Sequence, residues 1–451
     1  MPFELHVRDV LRSALSAALL AGAFTTAGMA QNPDLTADLA AAVDLATPAK
    51  RQAAAIELAR REDVELEDWL AACASFAPTE TSFELGWSVH EVSLWFDGAE
   101  HDCELLVYRP RGEAEPGVGR VPLMVSLHGT GGDGHRVRGK WETVADALGM
   151  WVLAPTEPGE NKGFRGDPAE RGAVLAALRW LRRRLDVDER TVFVGGNSRG
   201  GHLTWDLGAR WPDRWACILP QFGGPRFELR GGQNNMRFLE QLTSTTVWAL
   251  QGPGDPGNVG WNVTEALRRL ESMGAQNNLQ IADFPPVEPA SPGQPSLSDF
   301  FATRTDADPD RAVCLASKKN SGRVGPIKIV GVTRAVRETS RPKVDAKLWN
   351  GLDAAGRCRR IIDQSIERTA RLVIEWTGDA SVNVQSDRVT RAEVLLTQDR
   401  LERAGSRVLV TAGGRRKRSA KLRADPRVLL KDFVERFDRG FLPVAVLPLK
   451  L

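Results

Sequence analysis

The spacing of apolar and polar positions changes character three times along the chain. From Leu35 to about Phe76, Ala and Leu recur at helical spacing among scattered Glu, Asp, Lys and Arg, with an interruption near Thr47-Pro48, and this predicts a small helical segment. From Phe83 the period shortens to two. Trp87 to Phe96 and His101 to Tyr108, joined through Asp97-Gly98, read as paired strands, followed by a loop at Pro110 to Gly119. Short unbroken apolar runs then alternate with longer amphipathic stretches. Strands are predicted at Val121–Leu127, Met150–Ala154, Thr191–Gly195, Ala216–Pro220, Thr246–Gln251 and Leu279–Phe284. Helices are predicted at Lys140–Leu148, Pro168–Leu185, after Gly200, and at Val259–Met273. Strands that are apolar throughout are buried on both faces, and helices between them are crossovers, so the pattern predicts an α/β fold with a doubly wound, mostly parallel sheet. A Pro- and Ser-rich stretch, Pro285–Ser296, leads into a closing helix at Leu297–Arg304.

Beyond Asp310 strand-like runs at Ile327–Val332, Leu372–Trp376, Ala392–Leu396 and Val408–Val410 are separated by polar turns, and a helix at Pro426–Phe437 precedes a last apolar strand, Leu442–Leu449. The expected organisation is therefore a helical segment over 31–80, an α/β domain over 81–310 and a smaller β-rich module over 311–451. The first thirty residues differ from all of these. Arg8 and Arg12 precede an apolar run from Ala14 to about Ala23, and Gly28-Met29-Ala30 places small residues before Gln31, which is the pattern of a signal peptide cleaved near Ala30. The run is shorter than the ~20 apolar residues that span a bilayer, so export to the periplasm or outside the cell is expected rather than integral membrane association.

Charge narrows the choice of partner. The chain carries 60 Lys and Arg against 58 Asp and Glu, a net charge of +2, so no global field draws it to nucleic acid. The one basic run, Arg415-Arg416-Lys417-Arg418 with Lys421 and Arg423, follows Gly413-Gly414 without interleaved aromatics and reads as a solvated hairpin or loop rather than a polyanion site. The five cysteines, Cys73, Cys103, Cys217, Cys314 and Cys358, could form two bridges in an exported protein and leave one thiol free. Cys217, within the apolar run Trp215–Leu219, is the expected free and buried one. No spacing of Cys, His or acidic residues matches a metal motif, and no cofactor is expected.

Two motifs carry chemistry. Gly196-Asn197-Ser198-Arg199-Gly200 has the Gly-x-Ser-x-Gly form of a nucleophile elbow, and it falls between a predicted strand and a predicted helix. The turn there is so tight that side chains two residues either side of the serine would collide, while the serine hydroxyl is exposed above the helix N-terminus. His128-Gly129-Thr130-Gly131-Gly132-Asp133-Gly134 follows the strand Val121–Leu127 and can aim a backbone N–H at the point reached by the N–H of Arg199, forming an oxyanion hole. Gly129, Gly131 and Gly134 also spell Gly-x-Gly-x-x-Gly, with Glu157 about twenty residues on, as in a dinucleotide site. The strands before Val121 and the separate elbow disfavour that reading.

With these motifs the chain resembles the α/β-hydrolase superfamily, in particular its secreted polyhydroxybutyrate-depolymerase-like and feruloyl-esterase-like branch. The resemblance covers about Val92 to Phe301 and is carried by Pro122–Gly129, by Gly196–Gly200 with its continuation Gly201-His202-Leu203-Thr204-Trp205-Asp206-Leu207, by Trp211–Ala216 and by Gly223-Gly224. It implies a serine hydrolase of small-molecule or polymeric carboxylic esters. Ser198 would be the nucleophile, Gly129, Thr130 and Arg199 the oxyanion donors, and Asp255 in Gln251-Gly252-Pro253-Gly254-Asp255 the acid. The base departs from the pattern. The six histidines are His6, His90, His101, His128, His135 and His202, and none follows the acid in the chain. Where the family places its histidine, this chain reads Phe284-Pro285-Pro286-Val287-Glu288-Pro289. The residues left as alternative bases are His128, His202 and Glu288. A second expectation of a different class is a catalytically inactive homologue that binds a ligand or polymer.

Overall fold

A computed structural model of the chain describes residues 33–451 apart from 79–81, 112–119, 159–165, 228–233, 253–256, 276, 282–295, 319–321, 338–344 and 420. The signal-peptide reading, Asp255, Glu288 and most of the Pro- and Ser-rich stretch lie outside the described residues.

Eight strands form the main sheet: β1 (Gly86–Phe96), β2 (Ala99–Arg109), β3 (Val121–Leu127), β4 (Trp151–Pro155), β5 (Val187–Asn197), β6 (Cys217–Gln221), β7 (Thr246–Gln251) and β8 (Asn277–Ile281). Their order is β1-β2-β4-β3-β5-β6-β7-β8, with β1, β2 and β4 successively antiparallel and every pair from β4 to β8 parallel. The central strands β4 and β6 are buried at every residue, as unbroken apolar runs require. One face packs on helices Pro168–Arg182 and Arg199–Arg210, through Val174, Leu178, Leu203 and Trp205. The other face packs on Trp141, Phe300 and Phe301.

Among the described residues the C-terminal module contains nine strands: β9 (Arg311–Ala316), β10 (Gly322–Val324), β11 (Ile327–Val332), β12 (Ala370–Gly378), β13 (Ser381–Asp387), β14 (Val389–Thr397), β15 (Leu409–Ala412), β16 (Arg415–Arg418) and β17 (Pro443–Lys450). They form a four-stranded sheet, β10-β11-β14-β17, and a five-stranded sheet, β16-β15-β13-β12-β9, which share one core. The other face of β9 and β12 presents Val313, Leu315 and Val373 to the core of the main sheet, which joins the module to it. The fold is thus an α/β-hydrolase-type sheet with a β-rich module attached.

The N-terminal helices Pro33–Val43, Pro48–Leu58 and Leu66–Ala74 pack against Pro426–Arg436 near the opposite end of the chain, burying Leu39, Trp69, Phe76, Leu430, Phe433 and Phe437 in one cluster. Below that cluster runs an ionic seam. Arg439, 4% exposed, donates to Glu189 Oε1 (2.6 Å), Asp186 Oδ1 (2.6 Å) and the carbonyls of Phe76 (3.0 Å) and Val187 (2.7 Å). Arg436 pairs with Asp213, and Arg182 lies 2.9 Å from Glu189 although its nitrogen is not aligned to donate.

The cysteine expectation is corrected. All five thiols are free. Cys73, Cys103, Cys217 and Cys314 each lie in a different apolar cluster. Cys217 is fully buried, as expected, and burial pushes its thiol well above the usual range. Among the described residues no helix is long and apolar enough to cross a membrane.

Candidate functional site

Strand β5 runs to Asn197 and the next helix begins at Arg199, so Ser198 alone makes the turn. It does so at φ 54°, ψ −110°, a conformation that a non-glycine residue adopts only when its surroundings force it, at a cost of about 1–3 kcal/mol. The Ser198 N–H donates to Gln221 O (2.8 Å) and its carbonyl accepts from the His202 N–H (3.0 Å).

The glycines of the motif are sterically required. A Cβ on Gly196 would lie 2.5 Å from Gly200 C, one on Gly201 2.5 Å from Gln221 O, and one on Gly200 would overlap Leu127 O. Replacing Ser198 by glycine is expected to raise stability by about 1 kcal/mol, because relief of the strained φ exceeds the added freedom of the unfolded chain. A melting temperature at or below the parent's would show that the turn stores no strain.

The loop after β3 comes to the same point. A Cβ on Gly129 would sit 3.5 Å from Ser198 Cβ and 3.3 Å from Asn197 O. Thr130 is exposed beside it, and the backbone N–H groups of Thr130 and Arg199 make no hydrogen bond among the described residues. Two unspent donors, one at a helix N-terminus, flank the serine from different elements, as stabilisation of a developing oxyanion requires. The dinucleotide reading finds no support in the geometry. The loop enters a 3-10 turn, Gly134–Val137, instead of an α-helix, and Gly134 is pressed against Ala154 O at 2.6 Å from a would-be Cβ.

His128 and His202 both make backbone hydrogen bonds around the elbow. His128, 2% exposed, donates from Nδ1 to Gly129 O (2.8 Å) and accepts at Nε2 from the Glu157 N–H (2.9 Å). Burial lowers its pKa, and the ring ties the loop after β3 to the residues that follow β4. His202 Nδ1 donates to Gly224 O (2.5 Å), and Trp205 Nε1 donates to Gly223 O (3.0 Å). The residues Gly201 to Leu207 thus lock the Gly223-Gly224 loop behind the elbow. His90 contacts Ser88 Oγ, His101 stacks on Phe96, and His135 meets Glu104, all away from the serine. The Ser198 hydroxyl takes part in no hydrogen bond with any of them.

Two features were not read from the sequence. Phe222, at the end of β6 and beside Gly223, has φ 53°, a conformation with no sequence signal in a bulky residue. Glu157, singled out in the sequence only as the acid of a dinucleotide site, carries instead a buried Oε2 with no hydrogen-bond partner and donates its N–H to His128. Among the described residues no cluster of His, Cys, Asp and Glu could hold a metal ion.

No family model matches the chain. Over 64 residues it is 41% identical to the iron(III) enterobactin esterases of Escherichia coli O6:H1 and of Escherichia coli K12, a match that spans 14% of this chain and 16% of each of those proteins. Among solved structures, a thermostable esterase aligns at 19% identity and TM-score 0.34 over 44% of this chain and 55% of that one. A ferulic acid esterase aligns at 14% identity and TM-score 0.36 over 45% and 92%. A fluorophosphonate-binding serine hydrolase of Staphylococcus aureus aligns at 12% identity and TM-score 0.36 over 44% and 90%. The fold is assigned from strand order and register, which do not depend on these alignments. By the order of its eight-stranded sheet and the single-residue turn at Ser198, the chain has the α/β-hydrolase fold.

Proposed function

We propose that the chain is an exported serine ester hydrolase acting on carboxylic esters of small molecules or polymers. Ser198 Oγ attacks the ester carbonyl, the N–H groups of Arg199 and of the Gly129–Thr130 loop hold the oxyanion, and Asp255 is the acid. The base that takes the serine proton is one of His128, His202 and Glu288. The observation that carries the reading is the strained Ser198 set against Gly129, with unspent N–H donors at Thr130 and Arg199. The local identity to two esterases supports it.

A second reading, an inactive homologue that keeps the elbow because it holds the fold together, is favoured by the absence of a histidine hydrogen-bonded to Ser198 among the described residues. The two separate on labelling with a fluorophosphonate and turnover of p-nitrophenyl acetate. The first expects both, lost in Ser198→Ala and reduced by about 10²–10⁴-fold in whichever of His128→Gln, His202→Gln and Glu288→Gln removes the base. An unlabelled but folded protein would establish the second.

A further inference from the structure

We propose that the open corner of the five-stranded sheet in the C-terminal module binds an acidic polysaccharide. The face of that sheet carrying Val382, Val384, Val410 and Ala412 is turned to the module's own core. Successive residues of a strand alternate faces, and directly paired residues share one. Ala412 pairs with Arg415 and Val410 with Lys417, so these two cations lie on the core side of the edge strand, while Arg416 and Arg418 lie on the opposite face.

Around β9 and β12 that opposite face packs on the main sheet through Val313 and Val373, while toward β13, β15 and β16 its residues are half-exposed to exposed among the described residues. The register lines up Glu375, Asn383, Thr411 and Arg416 in one row across four strands. Asn383 and Thr411 are half-exposed, and their side chains make no hydrogen bond among the described residues. Arg416 and Arg418 are exposed at the edge and pair with no carboxylate there.

A row of amide, hydroxyl and guanidinium groups is what a sugar chain bearing carboxylates would use. Amide and hydroxyl groups meet sugar hydroxyls, and the planar arginine fork meets a carboxylate through two parallel bonds. Glu375, at the inner end of the row, excludes anions from that side and accepts from a hydroxyl, so the ligand's charges are directed to the edge. Single-stranded nucleic acid is disfavoured because no aromatic ring stands on the open part of the face for bases to stack on, and an anionic membrane because the tip of the hairpin is Gly413-Gly414 with no apolar side chain to insert. Cations on an edge strand also guard it against pairing with another chain. That role explains the charges but not the unspent Asn383 and Thr411.

The test is binding of the whole protein to sodium polygalacturonate in low salt, measured calorimetrically, with dextran, poly(dT) and phosphatidylglycerol vesicles as comparisons. Binding to polygalacturonate that weakens steeply with added NaCl is expected. Replacing Arg416 and Arg418 together by Thr should weaken it about 30-fold, and Asn383→Ala about 3-fold. Replacing Arg415 and Lys417 together by Thr removes the same charge from the other face and should weaken binding less than about 3-fold. Thermal melting of each variant checks that the fold is intact. Equal losses in the two double variants, tighter binding to poly(dT) or to vesicles, or no binding to polygalacturonate would overturn the assignment.

Discussion

Arg439→Met should lower the free energy of unfolding by about 3–5 kcal/mol, read as a shift of the urea midpoint, although the new side chain has a similar volume. The arginine is 4% exposed, and it ties Glu189, Asp186 and two carbonyls from two distant parts of the chain. Removing it leaves the Glu189 carboxylate, 5% exposed, with poorly aligned Arg182 and the more distant Arg120. The pH dependence follows from the same geometry. Burial pushes the Glu189 carboxyl up, but Arg182, Arg439 and Arg120 outweigh it and hold the group at about 2. A carboxyl depressed in the folded state stabilises fully above its unfolded value of about 4.3 and loses that contribution as the pH falls toward 2. Acid sensitivity between those limits should therefore be blunted in Arg439→Met. A midpoint shift worth less than about 1 kcal/mol would show the seam to be decorative.

Gly200→Ala is expected to be nearly as damaging, by about 3 kcal/mol, at a site where most helices welcome alanine. The added methyl would overlap Leu127 O and stand 2.7 Å from His128 O, and neither backbone atom can swing aside as a side chain would. Relief requires prising the elbow helix away from β3, which also parts Arg199 from the Gly129–Thr130 loop. Labelling at Ser198 should be lost even in the fraction that folds. Gly260→Ala is the matched control. It sits in the helix Gly257–Ser272 with nothing within 4 Å of a new Cβ, and should stabilise by about 0.5–1 kcal/mol. Parallel melts of the two variants decide the matter, and similar small shifts would refute the steric account.

The main sheet could be read in advance because its central strands are buried on both faces and leave unbroken apolar runs. The predicted Val121–Leu127 and Thr246–Gln251 match β3 and β7 residue for residue. The elbow was legible for a steric reason, since few other constraints put glycine at 196, 200 and 201 together. The module was read less fully. Helix Ala354–Ile366 escaped because arginines interrupt its apolar stripe, whereas the basic run was read as a solvated hairpin or loop and forms the exposed arm of the β15–β16 hairpin. Helix Gln398–Ala404 was too short and polar to register. Periodicity is also local, so nothing in Leu35–Phe76 pointed to its partner at Pro426–Arg436. The site's base was illegible for a different cause: the residue type that normally announces it is missing from that part of the chain.

That long-range pairing has a temporal consequence. Gln52 Nε2 donates to the carbonyl of Lys431, 379 residues further along. At synthesis rates of about 5–20 residues per second, the N-terminal helices wait on the order of half a minute before the helix they pack against exists. Until then Leu39, Trp69 and Phe76 have no native cover, and the newborn chain presents an apolar surface while the eight-stranded sheet is still being made. The late helix Pro426–Arg436 is what covers the early ones, so its loss would leave the apolar faces of Pro33–Val43, Pro48–Leu58 and Leu66–Ala74 sticky.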